Sequence, residues 1–353
     1  MSATAPRIGI VGGGVMGTIH AEVIRNDGHA TVVAVADPAN ATLATDLGVD
    51  HHLDHRELLA RPDLDAVVVA SPNAEHVPTA LACLDAGLPA LLEKPVAASL
   101  EEARTLVDAA ARASTPILVG HHRRHNATVA AARAFLRAGR LGRIVAVNSV
   151  FLTRKSDAYF DLDWHRRRGA GVMLINLVHD IDLLRHLCGE IVRVGALSTS
   201  RSRGYEVEDS AAATVEFADG AVGTLVVSDS AASPFNWDQV SGDDPSFPRH
   251  DGLDTHLICG TRGSLTLPGL VHHQYANDET GHWKVPMERG SLSADGGDTY
   301  ANQWSHFLDV LAGSAQPLVT VADATRTLEV VEAIRAAAAD GRTTDTRSLQ
   351  ETS

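Results

Sequence analysis

The segment Gly12-Gly13-Gly14-Val15-Met16-Gly17 constrains this 353-residue chain more than any other. It follows a short apolar run, Arg7–Val11, that ends on glycine as a buried strand does. An apolar helical pattern then runs through Ile19, Val23 and Ile24 to Gly28, and a second apolar run, Thr31–Ala36, stops at Asp37. Gly12, Gly14 and Gly17 fit G-x-G-x-x-G, and the acid stands about 20 residues beyond them. Alone, such a motif is weak. With strand, helix, second strand and acid in order, it predicts a dinucleotide-binding unit.

Each residue of the motif has a physical reason. Gly12 permits the tight turn, Gly14 lets a pyrophosphate approach the backbone, and Gly17 lets helix and strand pack closely. The pyrophosphate is expected on the helix amino terminus, beside Val15 and Met16, where unpaired N–H groups and the helix dipole favour anions. Asp37 is expected to accept hydrogen bonds from the adenosine ribose and to repel a 2′-phosphate, so NAD is expected as cofactor and NADP disfavoured.

The alternation continues to Gly120. Asn40–Leu47, His55–Ala60 and Ala74–Ala86 read as helices, and Ala66–Ala70 and Pro89–Leu92 as strands. Ser99-Leu100-Glu101-Glu102 is a capping box opening a helix to about Ala113, and Ile117–Gly120 is a last strand. Strands alternating with helices of about 10–15 residues predict an α/β fold with a doubly wound parallel sheet in residues 1–120.

Two loops at strand ends carry polar side chains. Ser71-Pro72-Asn73 with His76 follows the third long strand. Ser71 and Asn73 are candidates for the cofactor's ribose or pyrophosphate, and His76 lies beside them. Asn73 is equally suited to cap the next helix. Glu93-Lys94-Pro95 follows the next strand, at the carboxyl edge where α/β enzymes do chemistry. A residue before proline is held extended, and the bond is open to the cis form, so the backbone aims the Lys94 ammonium. The bland alternative is a surface ion pair between Glu93 and Lys94.

Taken together, G-G-G-V-M-G, Asp37, S-P-N-x-x-H and E-K-P resemble the glucose–fructose oxidoreductase/inositol dehydrogenase/MocA family across essentially the whole chain. The resemblance implies a Rossmann domain followed by an α+β domain with a large, mostly antiparallel open sheet. It implies reversible oxidation of a secondary alcohol in a polyol, cyclitol, sugar or related ring by a nicotinamide. It places Lys94, with Glu93, near the nicotinamide and the reacting hydroxyl. It also implies a homo-oligomer, a dimer or tetramer, joined through the second-domain sheet.

The second half, 121–341, is expected to bind substrate. His121–Asn126 is a basic crossover where the family has R-R-F-N-P. Arg124 and Asn126 suit either a substrate cleft or a structural tie. Trp164 is a candidate stacking wall for a sugar ring, or a core aromatic. The run Arg166-Arg167-Arg168 would attract an acidic substrate, although such runs are more often solvated. Met173–Leu187 reads as one amphipathic helix, in which Asn176 and His179 share a face. The family carries an Asp four residues before this His, where this chain has Ile175. Asn176 can orient a hydroxyl but cannot take a proton. Proton handling is therefore expected to fall to Lys94 and His179, with Asp182 as an anchor. Beyond Gly189, Ile191–Ser200, Ser210–Ala218 and Ala221–Asp229 read as antiparallel strands, with Asp219-Gly220 a hairpin turn. The long loop Ser233–Asp251 is expected to border the substrate, with Trp237 a second candidate wall. His256–Cys259 and Ser264–Leu267 follow as strands, then helices Tyr300–Leu311 and Ala322–Ala339. Residues 342–353 read as a polar, mobile tail.

The formal net charge of −14 disfavours nucleic acid and anionic membrane surfaces as partners. Three scattered cysteines match no disulfide or zinc spacing, so a reducing cytoplasm is expected. No run approaches the roughly 18 apolar residues of a membrane span, and with a strand read from Arg7 no signal peptide is expected. His51-His52 with His55, and His121-His122 with His125, have ligand-like spacing but lack the Glu of H-E-x-x-H, so no metal is expected. Alternative readings are a dehydrogenase of a glycoside or cyclic dihydrodiol, and a non-catalytic NAD-binding sensor.

Overall fold

The computed structural model describes residues 5–277, 280–294 and 296–346. The chain divides into two compact units, Met1–His125 with Gly297–Leu328, and Asn126–Gly296 with Glu329–Ser353.

In the first unit the expected alternation is realised: β1 (Arg7–Val11), α1 (Val15–Asp27), β2 (Thr31–Ala36), α2 (Thr42–Leu47), β3 (Asp50–His52), α3 (His55–Leu59), β4 (Ala66–Val69), α4 (His76–Asp85), β5 (Ala90–Leu92), α5 (Leu100–Arg112) and β6 (Ile117–Val119). The six strands are all parallel in the order β3-β2-β1-β4-β5-β6. Helices on both faces explain why β4, Ala-Val-Val-Val, is buried at every residue. The strand order reverses between β1 and β4, and the loops at their carboxyl ends are the glycine loop and Ser71–Asn73. Doubly wound sheets bind ligands at such a switch point. The sequence pattern missed β3, whose three residues are too short for a period. Ser99 caps α5 by accepting from Glu102 N–H, while Glu102 reaches back to the N–H of Ala98.

The second unit begins with α6 (Ala127–Arg137) and β7 (Ile144–Leu152). It continues through α7 (Val178–Cys188), β8 (Ile191–Thr199), β9 (Ser210–Phe217), β10 (Val222–Ser228), α8 (Trp237–Ser241), β11 (His256–Gly260), β12 (Gly263–Leu267), β13 (Val271–Gln274) and β14 (Glu288–Ser291). Next in the chain come α9 (Thr299–Leu311) and α10 (Val321–Asp340), then the two-residue strand β15 (Thr344–Asp345). The nine-stranded sheet of the second unit runs β14-β13-β12-β11-β7-β10-β9-β8-β15. Every pairing is antiparallel except β7 with β10, so the sheet is mixed and mostly antiparallel. Strands β9 and β10 alternate buried and exposed residues, as expected when one face is packed and the other open. Gly220 at φ 88° makes the expected turn between them.

The sequence pattern also missed β13 and β14, and two expected elements take a different form. The helix expected over Met173–Leu187 opens with a π turn, Met173–Leu177, before α7. The widened turn breaks the i, i+3 spacing on which a common face for Asn176 and His179 was argued. The polar tail begins in order, because Thr344 and Asp345 pair with β8. The remainder of that tail, 347–353, lies outside the described residues.

In the first unit α9 packs on α1, and Trp304 Nε1 donates to Asp27 Oδ2 at 3.2 Å. The N–H of Val119, on the edge strand β6, bonds the carbonyl of Val319.

Candidate active site

The glycine loop has the geometry its motif predicts. Gly12 sits at φ 101°, and a Cβ there would lie 2.4 Å from the Ala70 carbonyl oxygen. A Cβ on Gly17 would lie 2.0 Å from the Gly12 carbonyl oxygen. A Cβ on Gly14 would meet nothing within 4 Å. Two glycines therefore serve the fold, and the third keeps open the space an incoming phosphate would use. No side chain caps α1 at Gly14, and its first turn holds no acid, so its amide end suits an anion.

Asp37 organises the other wall. Its Oδ2 accepts from Gly13 N–H at 2.8 Å, and its Oδ1 accepts from the N–H groups of Ala39 and Asn40 at 2.8 and 3.0 Å. It fastens the glycine loop to the turn after β2 while lining a cavity of about 530 Å³. That cavity also touches Val11, Gly12, Leu53, Arg56 and Ser71. Ser71 Oγ and Asn73 Nδ2 are buried polar atoms without a hydrogen-bond partner. Native interiors rarely leave such groups orphaned, and a bound ligand is one resolution. Asn73 does not cap the helix: neither its own short 3-10 turn nor α4 has a side-chain cap. An open glycine, an uncapped helix start, an acid beside the pocket and two orphaned polar groups together fit a dinucleotide.

Glu93 and His76 tie the loops at the strand ends together through hydrogen bonds within the protein. Glu93 is buried; its Oε1 lies 2.8 Å from His20 Nε2, and its Oε2 accepts the Lys94 N–H at 3.2 Å. Burial alone would raise its pKa. The His20 hydrogen bond and the charges of His20 and Lys94 outweigh that and hold the carboxyl down at about 2. Its carboxylate thus fixes the E-K-P turn from inside. Lys94 is partly buried, and the Lys94-Pro95 bond is cis. His76 is buried between the carbonyl oxygens of Pro95 (Nδ1, 2.7 Å) and Ser71 (Nε2, 2.9 Å), a brace between the two loops. Burial lowers its pKa, so the ring has one N–H to give, and the tautomer decides which carbonyl receives it.

His122, in the 3-10 turn His122–His125, stacks on Tyr300 with ring centroids 4.7 Å apart. Burial, then Arg123, pushes its pKa down to about 3, so it is neutral at pH 7. Arg124 is buried and pairs with Asp323 at 2.5 Å within the first unit. Asn126 caps α6 through Thr128 and Val129 N–H and donates to Asp243.

In the second unit His179 is buried on α7, and Asp180 and Asp182 beside it are buried too. Asp180 pairs with His256 at 3.3 Å. Asn176, on the π turn, accepts a 2.8 Å hydrogen bond from Lys155 Nζ. Lys155 also lies 3.8 Å from Asp229 and 4.4 Å from the centre of the Tyr159 ring. Asp229 in turn accepts from Arg203 Nε at 3.0 Å. Burial, then Asp229, pushes the Tyr159 phenol up to about 12. Sequence reasoning missed Lys155, Arg203 and Asp229. The available signal was position: Lys155 stands three residues past the end of β7, and Asp229 one past β10, its parallel neighbour.

Trp164 is 51% exposed beside His165 and remains available as a wall. Trp237 is 0% exposed, with its Nε1 donating to Asp243 Oδ2 at 2.7 Å, so the expectation that it walls a substrate pocket is corrected: it is a core residue. Its loop is not irregular throughout, because Asn236 caps the short helix α8. The three arginines are answered by acids: Arg166 and Arg167 by Asp163, and Arg168 by Glu206. Among the described residues no cluster of three or more His, Cys, Asp or Glu could hold a metal, and no helix is long and apolar enough to cross a membrane.

Comparison with known proteins agrees with the fold. Residues 6–121 match the oxidoreductase family NAD-binding Rossmann fold, and residues 129–266 match the GFO/IDH/MocA C-terminal domain. The 1,5-anhydro-D-fructose reductase of Ensifer adhaerens is 28% identical over 88% of this chain and 89% of its own. The scyllo-inositol 2-dehydrogenase (NAD(+)) of Bacillus subtilis strain 168 is 26% identical over 92% of this chain and 91% of its own. An oxidoreductase from Agrobacterium radiobacter, solved in complex with NAD+, L-tartaric acid and magnesium, superimposes with a TM-score of 0.80 at 20% identity, covering 98% of this chain and 100% of that one. The chain belongs to the GFO/IDH/MocA family of NAD-binding oxidoreductases.

Proposed function

We propose that this protein oxidises a secondary hydroxyl of a polyol, cyclitol or sugar. The observation that carries the reading is the match, along about nine-tenths of the chain, to a reductase and a dehydrogenase named for a sugar derivative and an inositol. Bound NAD+ would supply a hydride acceptor at nicotinamide C4. The pyrophosphate would rest at Gly14, Val15 and Met16, the ribose at Asp37, and Ser71 and Asn73 would use their orphaned polar atoms on the cofactor.

As the carbinol carbon loses hydride, its oxygen must shed a proton. Lys94 lowers the cost of the developing alkoxide with its ammonium charge. His179 takes the proton and passes it to water. The balance is one secondary alcohol plus NAD+ giving one ketone, NADH and a proton. Asn176 hydrogen-bonds the ring hydroxyls, and Trp164 offers an apolar wall. Glu93 and His76 act on the loops rather than on the ligand.

The protein acts as a homo-oligomer. In register across the second sheet, Leu197, Ala212, Val226 and Val150 form one row, and Gly195, Thr214, Thr224, Asn148 and Leu257 the next. Leu197, Val226 and Leu257 are exposed on this face among Thr214, Thr224 and Asn148, large apolar side chains of the kind that subunits cover.

The test is absorbance of NADH with a panel of inositols, sugars, glycosides and cyclic diols, run with NAD+ and with NADP+. The reading expects NADH from at least one inositol or sugar. Turnover confined to glycosides or dihydrodiols would move the substrate class. NAD+ binding with no turnover would favour a sensor, the reading that Ile175 in place of the family's acid keeps open.

A further inference from the structure

We propose that Lys155 is a positioning residue that turns the side-chain amide of Asn176 so that its N–H2 faces the substrate. Lys155 Nζ lies 2.8 Å from Asn176 Oδ1. An ammonium has three donors and no acceptor, so only the carbonyl end of the amide can face it. The orientation follows from that chemistry alone. With the oxygen committed, Asn176 has two donors left. The family's acid at the neighbouring position offers acceptors. This chain would therefore read its ligand with the opposite polarity, donating to a hydroxyl or carbonyl oxygen.

The charges around Lys155 favour this role over direct recognition of an acidic substrate. Lys155 and Arg203 both face Asp229, at 3.8 and 3.0 Å. Asp209 is buried alongside and accepts from the N–H groups of Ser202 and Arg203 at 2.8 and 3.0 Å. Exposed Asp157 lies 3.7 Å from Arg203. Two cations are thus met by at least two carboxylates, which leaves no surplus positive charge for an acid. Lys155 itself is held by Asp229 and by the Tyr159 ring, and Arg203 Nη2 donates to the Lys155 carbonyl at 2.9 Å. A donor fixed at both side chain and backbone suits orienting a neighbour. The π turn adds a second sign of function, since such bulges recur at working sites.

The inference rests on Asn176 being a substrate ligand, and the experiment separates the two claims. Protein labelled with 15N at asparagine gives side-chain amide signals, and the Asn176 pair is the one missing from Asn176→Leu. In Lys155→Met that pair should move, and in Lys155→Arg, which still donates to Oδ1, it should stay near its wild-type position. In kinetics with the panel member that forms NADH fastest, Lys155→Met should raise KM about five- to tenfold with kcat within about twofold, the effect of one misdirected hydrogen bond. Lys155→Met/Asn176→Leu should be no worse than Asn176→Leu alone. An unmoved amide pair in Lys155→Met overturns the inference. So does a KM that Lys155→Met leaves unchanged while Asn176→Leu raises it, or two effects that simply multiply. An unchanged KM in Asn176→Leu, or no NADH from any panel member, removes the ligand reading and this inference with it.

Discussion

Glu93 Oε1 stands 2.8 Å from His20 Nε2, and both side chains are buried. The pair anchors the turn that carries Lys94, so that end of the Rossmann unit rests on a buried charge. Glu93 has a folded pKa of about 2 against an ordinary 4.5. A carboxyl depressed on folding stabilises the protein above 4.5 and loses that contribution as the pH falls towards 2. The difference is worth about 3 kcal/mol. Melting temperature measured against pH should fall steeply below pH 4.5 in the wild type and less steeply in Glu93→Gln, which should also be less stable at pH 7.

His122 acts in an adjoining pH window. The unfolded chain protonates it near 6.5, whereas the folded protein holds it neutral down to about 3. Its contribution is therefore full above 6.5 and declines steadily as the pH drops towards 3. His122→Phe keeps a ring against Tyr300 and removes the titration. It should flatten the melting curve between pH 6.5 and 4.5, and an unchanged slope would show that His122 does not set it.

Gly14 and Gly17 should separate cofactor binding from folding. Gly17→Ala puts a methyl into the Gly12 carbonyl and should lower the melting temperature sharply. Gly14→Ala meets no protein atom and has an ordinary φ of −78°. It should change stability by less than about 0.5 kcal/mol, yet weaken NADH binding at least about tenfold, because the phosphate loses its approach. Fluorescence titration with NADH beside thermal melting checks both.

Trp164 and Trp237 should diverge. Trp237→Phe leaves Asp243 without the indole N–H and should cost about 1–2 kcal/mol with KM unchanged. Trp164→Ala should leave the melting temperature in place and raise KM for a ring substrate.

These contrasts show what the sequence made legible. Gly12, Gly14, Gly17 and Asp37 are local in sequence, and their motif encodes backbone geometry directly, so their placement followed from spacing. The parallel sheet followed from alternation because buried strands such as Ala66–Val69 are uniformly apolar. Trp237 was misread because a loop rich in proline and acids hides a capped helix that buries its own aromatic. Lys155, Arg203 and Asp229 were invisible because they meet through strand pairing between residues far apart in the chain. The π turn at Met173–Leu177 was missed because a one-residue widening leaves the apolar pattern almost unchanged.

Lys94 and His179 carry the proton chemistry in the proposed reaction. Lys94→Met and His179→Asn should each lower kcat at least about 100-fold, with NADH affinity within about threefold of wild type. A variant that keeps near-normal turnover would remove its residue from the mechanism.

Hydride transfer is tested most directly by isotope. An active alcohol from the panel, carrying deuterium on its carbinol carbon, should yield NADH one mass unit heavier, with the label at nicotinamide C4. Unlabelled NADH, or a protein that binds NAD+ and forms none from any alcohol offered, would contradict the proposed reaction.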